Sequence, residues 1–312
     1  MSRRFWGLGG IVGMVAAAVG AAVAACGARA KPPVHEFDGA KAFGYLQQQL
    51  QFGYRVPGTP PHEQTGDWIL AHLKARADTV WVQDIQHRMA SGKTIHLRNF
   101  FARFQPQAAE RILYLAHWDT RPTADQATDS AARKQPVLGA SDGASGVAVL
   151  LGVADALKAK SPTVGVDLLF VDGEDYGNFA DSNDVLIGSR WFAEHQPPGY
   201  PPLFGVLFDM VGDKNLDINV EGNSQASAPE VVDRVWKTAN AMGYGDIFIP
   251  QVRFTLIDDH VSLQKAGIHA IDVVDFNYPY WHTTEDTLDK VSERSLQVVG
   301  DVAVALIREA SQ

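Results

Sequence analysis

Five places along the chain carry side chains that could do chemistry together. The first is Leu115-Ala116-His117-Trp118-Asp119, where an apolar run ends in His and Asp two residues apart, so both leave on one face. A carboxylate beside an imidazole can hold its second nitrogen, as a metal-binding histidine needs. The second is Gly139-Ala140-Ser141-Asp142-Gly143-Ala144-Ser145-Gly146. Its small residues allow close backbone approach and leave Asp142 at a helix start, as a helix cap or as a metal carboxylate. Ser141, between Gly139 and Gly143, also fits a nucleophile elbow, although the preceding Lys134-Gln135-Pro136-Val137-Leu138 makes a poor buried strand. The third is Asp172-Gly173-Glu174-Asp175, directly after Leu168-Leu169-Phe170-Val171. Two adjacent carboxylates at a buried strand end repel unless a cation or a proton offsets them. One can bind metal while its neighbour stays free as a general base. The fourth is Asp209, ending Gly205-Val206-Leu207-Phe208. The fifth is Trp281-His282-Thr283 after Asn277-Tyr278-Pro279, with Asp258-Asp259-His260 opening a helix upstream.

Taken together these supply two His and three Asp at strand ends, with Glu174 to spare. Zinc accepts such nitrogen and oxygen ligands, and catalytic sites leave one position open. The elements that must position them are short apolar strands at Ile112–Ala116, Val166–Val171, Phe204–Phe208 and Ile268–Val274. Helical spacing alternates with these over Ala144–Ala159, Leu186–His195, Pro229–Met242, His260–Ala266 and Ser292–Glu309. Two further helices, Phe37–Phe52 and Thr65–Ala77, and a hairpin of Val80–His87 with Thr94–Phe104 precede them. This alternation predicts an α/β fold with a mixed, mostly parallel central sheet flanked by helices. In such sheets the site lies at the carboxyl ends of the strands.

The chain has 312 residues and a formal net charge of −9. An acidic balance of this kind excludes a general nucleic-acid partner, which needs a basic face. Arg3 and Arg4, the apolar Phe5–Ala25 run and Val23-Ala24-Ala25-Cys26 read as a signal peptide over residues 1–25 ending in a bacterial lipobox. Cys26 is the only cysteine, so it forms no internal disulfide, and as a lipid anchor it would hold the protein on the envelope side of a membrane. Residues 26–34 read as a tether and 35–312 as a single catalytic domain.

The ordered motifs His-x-Asp, Gly-Ala-Ser-Asp-Gly, Asp-Gly-Glu-Asp, Asp-Met-Val-Gly and Trp-His-Thr resemble the M28 metallopeptidase superfamily, from about residue 35 onward. The resemblance implies a zinc aminopeptidase-like fold acting on peptides or proteins with a free N-terminus. Aminopeptidases of this superfamily bind two zincs, a pattern that maps onto His117, Asp142, Asp175, Asp209 and His282, with Glu174 as base. Its glutaminyl cyclases use one zinc, which maps onto Asp142, Asp175 and His282. Glu174 is then the proton shuttle, supported by Asp209 and Asp258. Trp281 before His282, the Asp258-Asp259-His260 segment and Leu186-Ile187-Gly188-Ser189-Arg190 look more like the cyclases. The expected activity is therefore zinc-dependent cyclisation of N-terminal Gln to pyroglutamate with release of ammonia. The alternative is an aminopeptidase, and a serine hydrolase using Ser141 is a distant third. Asp119 is expected behind His117, and Trp281 and Tyr278 are expected to line the glutamine pocket. Asp175 departs from the usual Glu, a shorter reach for which a backbone shift should compensate. The resemblance also implies a cis peptide at Asp142–Gly143.

Overall fold

A computed structural model describes residues 35–310, apart from 178, 180–182 and 201. These residues belong to one compact unit, Pro33–Gln312. The signal-peptide, lipobox and tether expectations, Cys26 included, lie outside the described residues. No helix of the described residues is long and apolar enough to cross a membrane.

Two helices lead in, α1 (Gly39–Phe52) and α2 (Pro60–Lys74), followed by β1 (Thr79–Arg88), β2 (Thr94–Phe104) and β3 (Arg111–His117). Then come α3 (Ala144–Ala159), β4 (Gly165–Val171), α4 (Ile187–Glu194) and β5 (Phe204–Asp209). The remainder is β6 (Ile218–Glu221), α5 (Gly222–Ser227), α6 (Pro229–Ala241), β7 (Phe248–Phe254), α7 (Asp259–Lys265), β8 (Ala270–Val274) and α8 (Glu293–Ala310).

Six strands form the central sheet in the order β1-β2-β4-β3-β5-β8. The β1–β2 hairpin adds to β4 antiparallel, while β4, β3, β5 and β8 run parallel. The chain passes from β3 to β4 on one side and then returns to β5 on the other. That reversal opens a crevice at the carboxyl ends of β4, β3 and β5. The parallel strands read as near-continuous apolar runs, interrupted by Asp167 in β4 and Asp272 in β8, because both faces are covered. Along β3, Ile112, Tyr114 and Ala116 face the larger core with α1, α3 and α8, whereas Leu113 and Leu115 face the smaller core beneath α4 and α7. Helix α3 is buried almost all round, and its sequence is correspondingly apolar on every face.

At the amino end of β4, Asp167 is fully buried and accepts from Arg111 Nε at 2.8 Å, Arg103 Nε at 3.0 Å and the Tyr200 hydroxyl at 2.9 Å. Pairing of this kind is what allows a carboxylate inside a sheet.

Most predicted elements lie where the periodicity put them. Helix α2 instead starts at Pro60, five residues before the predicted Thr65, because Pro60 and Pro61 occupy its first turn, where a missing N–H costs nothing. The two-stranded parallel sheet of β6 and β7 was not foreseen. Strand β6 has only four residues, and β7 contains Pro250, is mostly exposed and pairs through register shifts, so neither shows a clean alternation.

Candidate metal centre

His117 is the last residue of β3, Asp172 follows β4, and Asp209 ends β5, so the sheet itself delivers three of the five motifs to one edge. Loops deliver the rest, and each loop is tied down by buried polar contacts. The Asp286 carboxylate accepts from the backbone N–H groups of Ser141 (2.9 Å) and Asp142 (3.1 Å), and from the Tyr278 hydroxyl (2.6 Å). Arg55, fully buried, donates to the carbonyls of Trp118, Leu138 and Gly139 from the other side. Burial pulls this guanidinium down to about 10. The Asp142–Gly143 peptide is cis. A side chain at Gly143 would come within 2.6 Å of the His117 ring, so glycine is required by close approach.

The acidic segment is held in the same way. Asp119 accepts from the N–H groups of Glu174 (3.1 Å) and Asp175 (3.2 Å) and lies 3.7 Å from His117 Nδ1. It was expected to support His117, but its hydrogen bonds go to the acidic pair. The start of α4 docks onto the same loop, with Leu186, Ile187 and Gly188 N–H groups donating to the carbonyls of Glu174, Gly173 and Asp172.

Two groups of ligand atoms result, each lying within 4.8 Å of one another: Asp142, Asp175 and His282, and His117, Asp142 and Asp209, all of them buried. In the first, His282 Nε2 is 3.3 Å from Asp175 Oδ1 and 3.7 Å from Asp142 Oδ2. Metal–ligand bonds of about 2.0–2.2 Å in a tetrahedral site put ligand atoms roughly 3.3–3.6 Å apart. This trio is therefore spaced for a zinc-sized cation. In the second, His117 Nε2 is 3.1 Å from both Asp142 Oδ1 and Asp209 Oδ1, within hydrogen-bond reach of each.

The cleft above has a volume of about 810 Å³, with Asp142, Glu174, Asp209, Asp258, Trp281 and His282 among its lining residues. The Trp281 ring stacks on His282 at 3.9 Å and meets Phe276 edge-on. Tyr278, expected beside Trp281, does not line the cleft. It is buried beneath, its hydroxyl committed to Asp286. Ser141 is likewise fully buried, with Oγ accepting the Gly212 N–H at 3.3 Å. A nucleophile must face its substrate, so the elbow reading of this segment is overturned. Sequence reasoning also missed Arg55, Arg121, Asp125 and Asp286. Arg121 Nη1 donates to Asp175 Oδ1 at 2.6 Å and to the Asp175 carbonyl at 3.3 Å, fixing the shorter acid by a side chain where a backbone shift was expected.

Electrostatics follow from this crowding. Burial, then the charge of Asp175, pushes the Glu174 carboxyl well above its usual range. Burial and Asp209 do the same to Asp258, and burial with Asp142 raises Asp286 to about 7. Burial works against a charged His117, yet Asp119, Asp142 and Asp209 outweigh it and hold the imidazole well above its ordinary value. His282 is raised to about 9 in the same way, with Asp175 the largest opposing influence. Burial also opposes ionisation of Asp175, but His282 and Arg121 prevail and hold it low.

The raised carboxyls and raised imidazoles agree in sign. Between about pH 4 and pH 9 these groups bind more protons in the metal-free fold than in the unfolded chain, so the stability they contribute falls as pH rises. The lowered Asp175 acts only below its ordinary range, outside that window. Metal-free protein is thus expected to melt at a higher temperature at pH 5.5 than at pH 8, in thermal unfolding followed by circular dichroism. A divalent cation, which needs the ligands deprotonated, should stabilise most at the alkaline end. A melting temperature that rises with pH without metal would contradict this electrostatic picture.

Residues 99–307 match peptidase family M28. Glutaminyl cyclase from Porphyromonas gingivalis superimposes with a TM-score of 0.86 at 36% identity, covering 89% of this chain and 100% of that one. A leucine aminopeptidase precursor from Bacteroides thetaiotaomicron gives 0.84 at 36% identity, covering 87% and 97%. The glutaminyl-peptide cyclotransferase-like protein of Bos taurus is 24% identical over 261 residues, 75% of this chain. The chain spans 38% and 66% of the length of the curated relatives it matches first. With its motifs in order and its neighbours at this depth of similarity, the chain belongs to peptidase family M28, in the branch that resembles the glutaminyl cyclases.

Proposed function

We propose that this protein is a glutaminyl-peptide cyclotransferase that holds one zinc ion on Asp142, Asp175 and His282. One observation carries the single-metal reading. The trio of Asp142, Asp175 and His282 is open at 3.3 and 3.7 Å, whereas His117 closes on Asp142 and Asp209 at 3.1 Å each. A proton shared within the second trio does there what a second cation would do.

Zinc, when bound, supplies a Lewis acid for an amide carbonyl. The chain's own residues do the rest. Glu174 stands at the cleft, its carboxylate able to take a proton from the α-amine of an N-terminal glutamine. The amine nitrogen forms a bond to the side-chain amide carbon. Glu174 then returns the proton to the amide nitrogen, the carbon–nitrogen bond breaks, and ammonia leaves. Asp258, the N-cap of α7, and Asp209 lie in the same wall and restrain the charge around Glu174. Trp281, Leu256 and Phe179 give the cleft apolar walls for the glutamine stem and the peptide that follows.

The aminopeptidase reading is favoured by a different observation: His117, Asp142 and Asp209 also converge within 4.8 Å, a set suited to a second cation. There Glu174 would activate the attacking water, and the first residue of the peptide would be released. The two are separated by assaying a Gln-initiated and a Leu-initiated peptide, with and without a chelator. The expected result is chelator-sensitive ammonia and pyroglutamate from the first and no leucine from the second. Glu174→Gln should lower kcat by about 100-fold or more, on the scale of a lost general acid–base. Free leucine without pyroglutamate would defeat the cyclase reading.

We also infer export and lipid anchoring, from Arg3-Arg4, the apolar Phe5–Ala25 run and Val23-Ala24-Ala25-Cys26. Wild-type protein expressed in a bacterial host should take up labelled fatty acid and Cys26→Ser should not. Equal labelling of the two, or no labelling of the wild type, would remove the anchor.

A further inference from the structure

His282 sits in an unusual conformation and is clamped from outside the motif that contains it. Its φ is 55°, in the left-handed region that only a few per cent of non-glycine residues enter. Two consecutive residues of the loop after β3 hold it. The Gln126 N–H donates to the His282 carbonyl at 3.2 Å, and Asp125 Oδ1 lies 3.1 Å from His282 Nδ1. Asp125 is itself anchored, accepting from Arg121 Nε at 2.9 Å and from Nη2 at 3.4 Å. Arg121 reaches on to Asp175 Oδ1 at 2.6 Å, and Asp175 Oδ1 lies 3.3 Å from His282 Nε2. The four side chains close a ring: Arg121, Asp125, His282, Asp175. The Arg121 guanidinium also lies 5.6 Å from the Phe179 ring centroid, which covers it at the cleft mouth.

A metal-binding imidazole must present one nitrogen as a lone pair and keep its proton on the other. The Asp125 carboxylate lies at Nδ1, which makes no aligned hydrogen bond in this structure, and its charge favours the proton on that nitrogen while Nε2 faces Asp142 and Asp175. We propose that Asp125 is a positioning residue for metal retention, fixing the tautomer and ring angle of His282 while Arg121 ties it to Asp175. The proposal rests on the metal reading above but not on which reaction follows. Its side chain is 42% exposed, so truncation opens no cavity in the core.

The test is zinc affinity, measured on the full chain by competition with a chromogenic chelator and without substrate. Asp125→Ala should bind zinc about 10- to 100-fold more weakly than wild type, the range found for lost partners of ligating histidines. Asp125→Asn keeps an acceptor oxygen for Nδ1–H and should stay within about threefold of wild type. The melting temperature of the metal-free protein should be close to wild type for both, which separates positioning from folding. If Asp125→Ala does not fold, Asp125→Ser, too short to reach His282, repeats the test with the same expected loss. Unchanged affinity in the alanine or serine variant overturns the proposal, and so does an asparagine variant as weak as alanine. Wild-type protein that binds no zinc overturns the metal reading itself, and this proposal with it.

Discussion

Asp142, Glu174, Asp175, Asp209 and Asp258 meet at the carboxyl edge of a parallel sheet, each of them buried. Carboxylates in such a place cost free energy twice, once for leaving water and again for repelling each other. Among the described residues, His117, His282 and Arg121 are the positive partners in direct contact with them. The cluster therefore has two ways to exist. It can hold protons, as the raised Glu174 and Asp258 carboxyls show, or it can hold a cation. The rest of the architecture keeps these groups in place against their own repulsion.

That task explains where the buried hydrogen bonds fall. Asp286 and Arg55 grip the loop carrying Asp142 from opposite sides, Asp119 grips the backbone of Glu174 and Asp175, and Arg121 with Asp125 grips Asp175 and His282. Each anchor is polar, buried or partly so, and bonded to main chain or to a ligand side chain. Apolar packing alone would locate the loops but would not set their carboxylates within tenths of an ångström. The sheet supplies direction, since parallel strands end at one edge, and the anchors supply distance.

His117, the Asp172–Asp175 segment and Asp209 were legible in the sequence because each follows or ends a short apolar run, and a buried strand that stops at His, Asp or Glu announces an edge, whereas Asp142 and His282 lie on loops and stood out only by their motifs. The fold class was legible for the same reason, as both faces of β3, β4 and β5 are covered and their runs are almost wholly apolar. The anchors were not legible. Arg55 bonds a carbonyl at Gly139, Arg121 a carboxylate at Asp175, and Asp286 an amide at Ser141. A lone Arg or Asp in a loop gives no sign of a partner so far along the chain. Tyr278 and Ser141 misled for the opposite reason. Their neighbours in sequence reach the cleft, but both side chains turn inward to satisfy buried partners. The β6–β7 pair escaped because β6 has only four residues and β7 is mostly exposed and contains a proline, so neither carries a readable period.

A single zinc-sized cation would relieve this crowding at one defined place. Anomalous diffraction on either side of the zinc absorption edge, from crystals of the purified protein, tests it most directly. One strong peak is expected, bonded to carboxylate oxygens of Asp142 and Asp175 and to Nε2 of His282. A peak between His117 and Asp209, with or without one at that trio, or no peak in zinc-supplemented crystals, would contradict it.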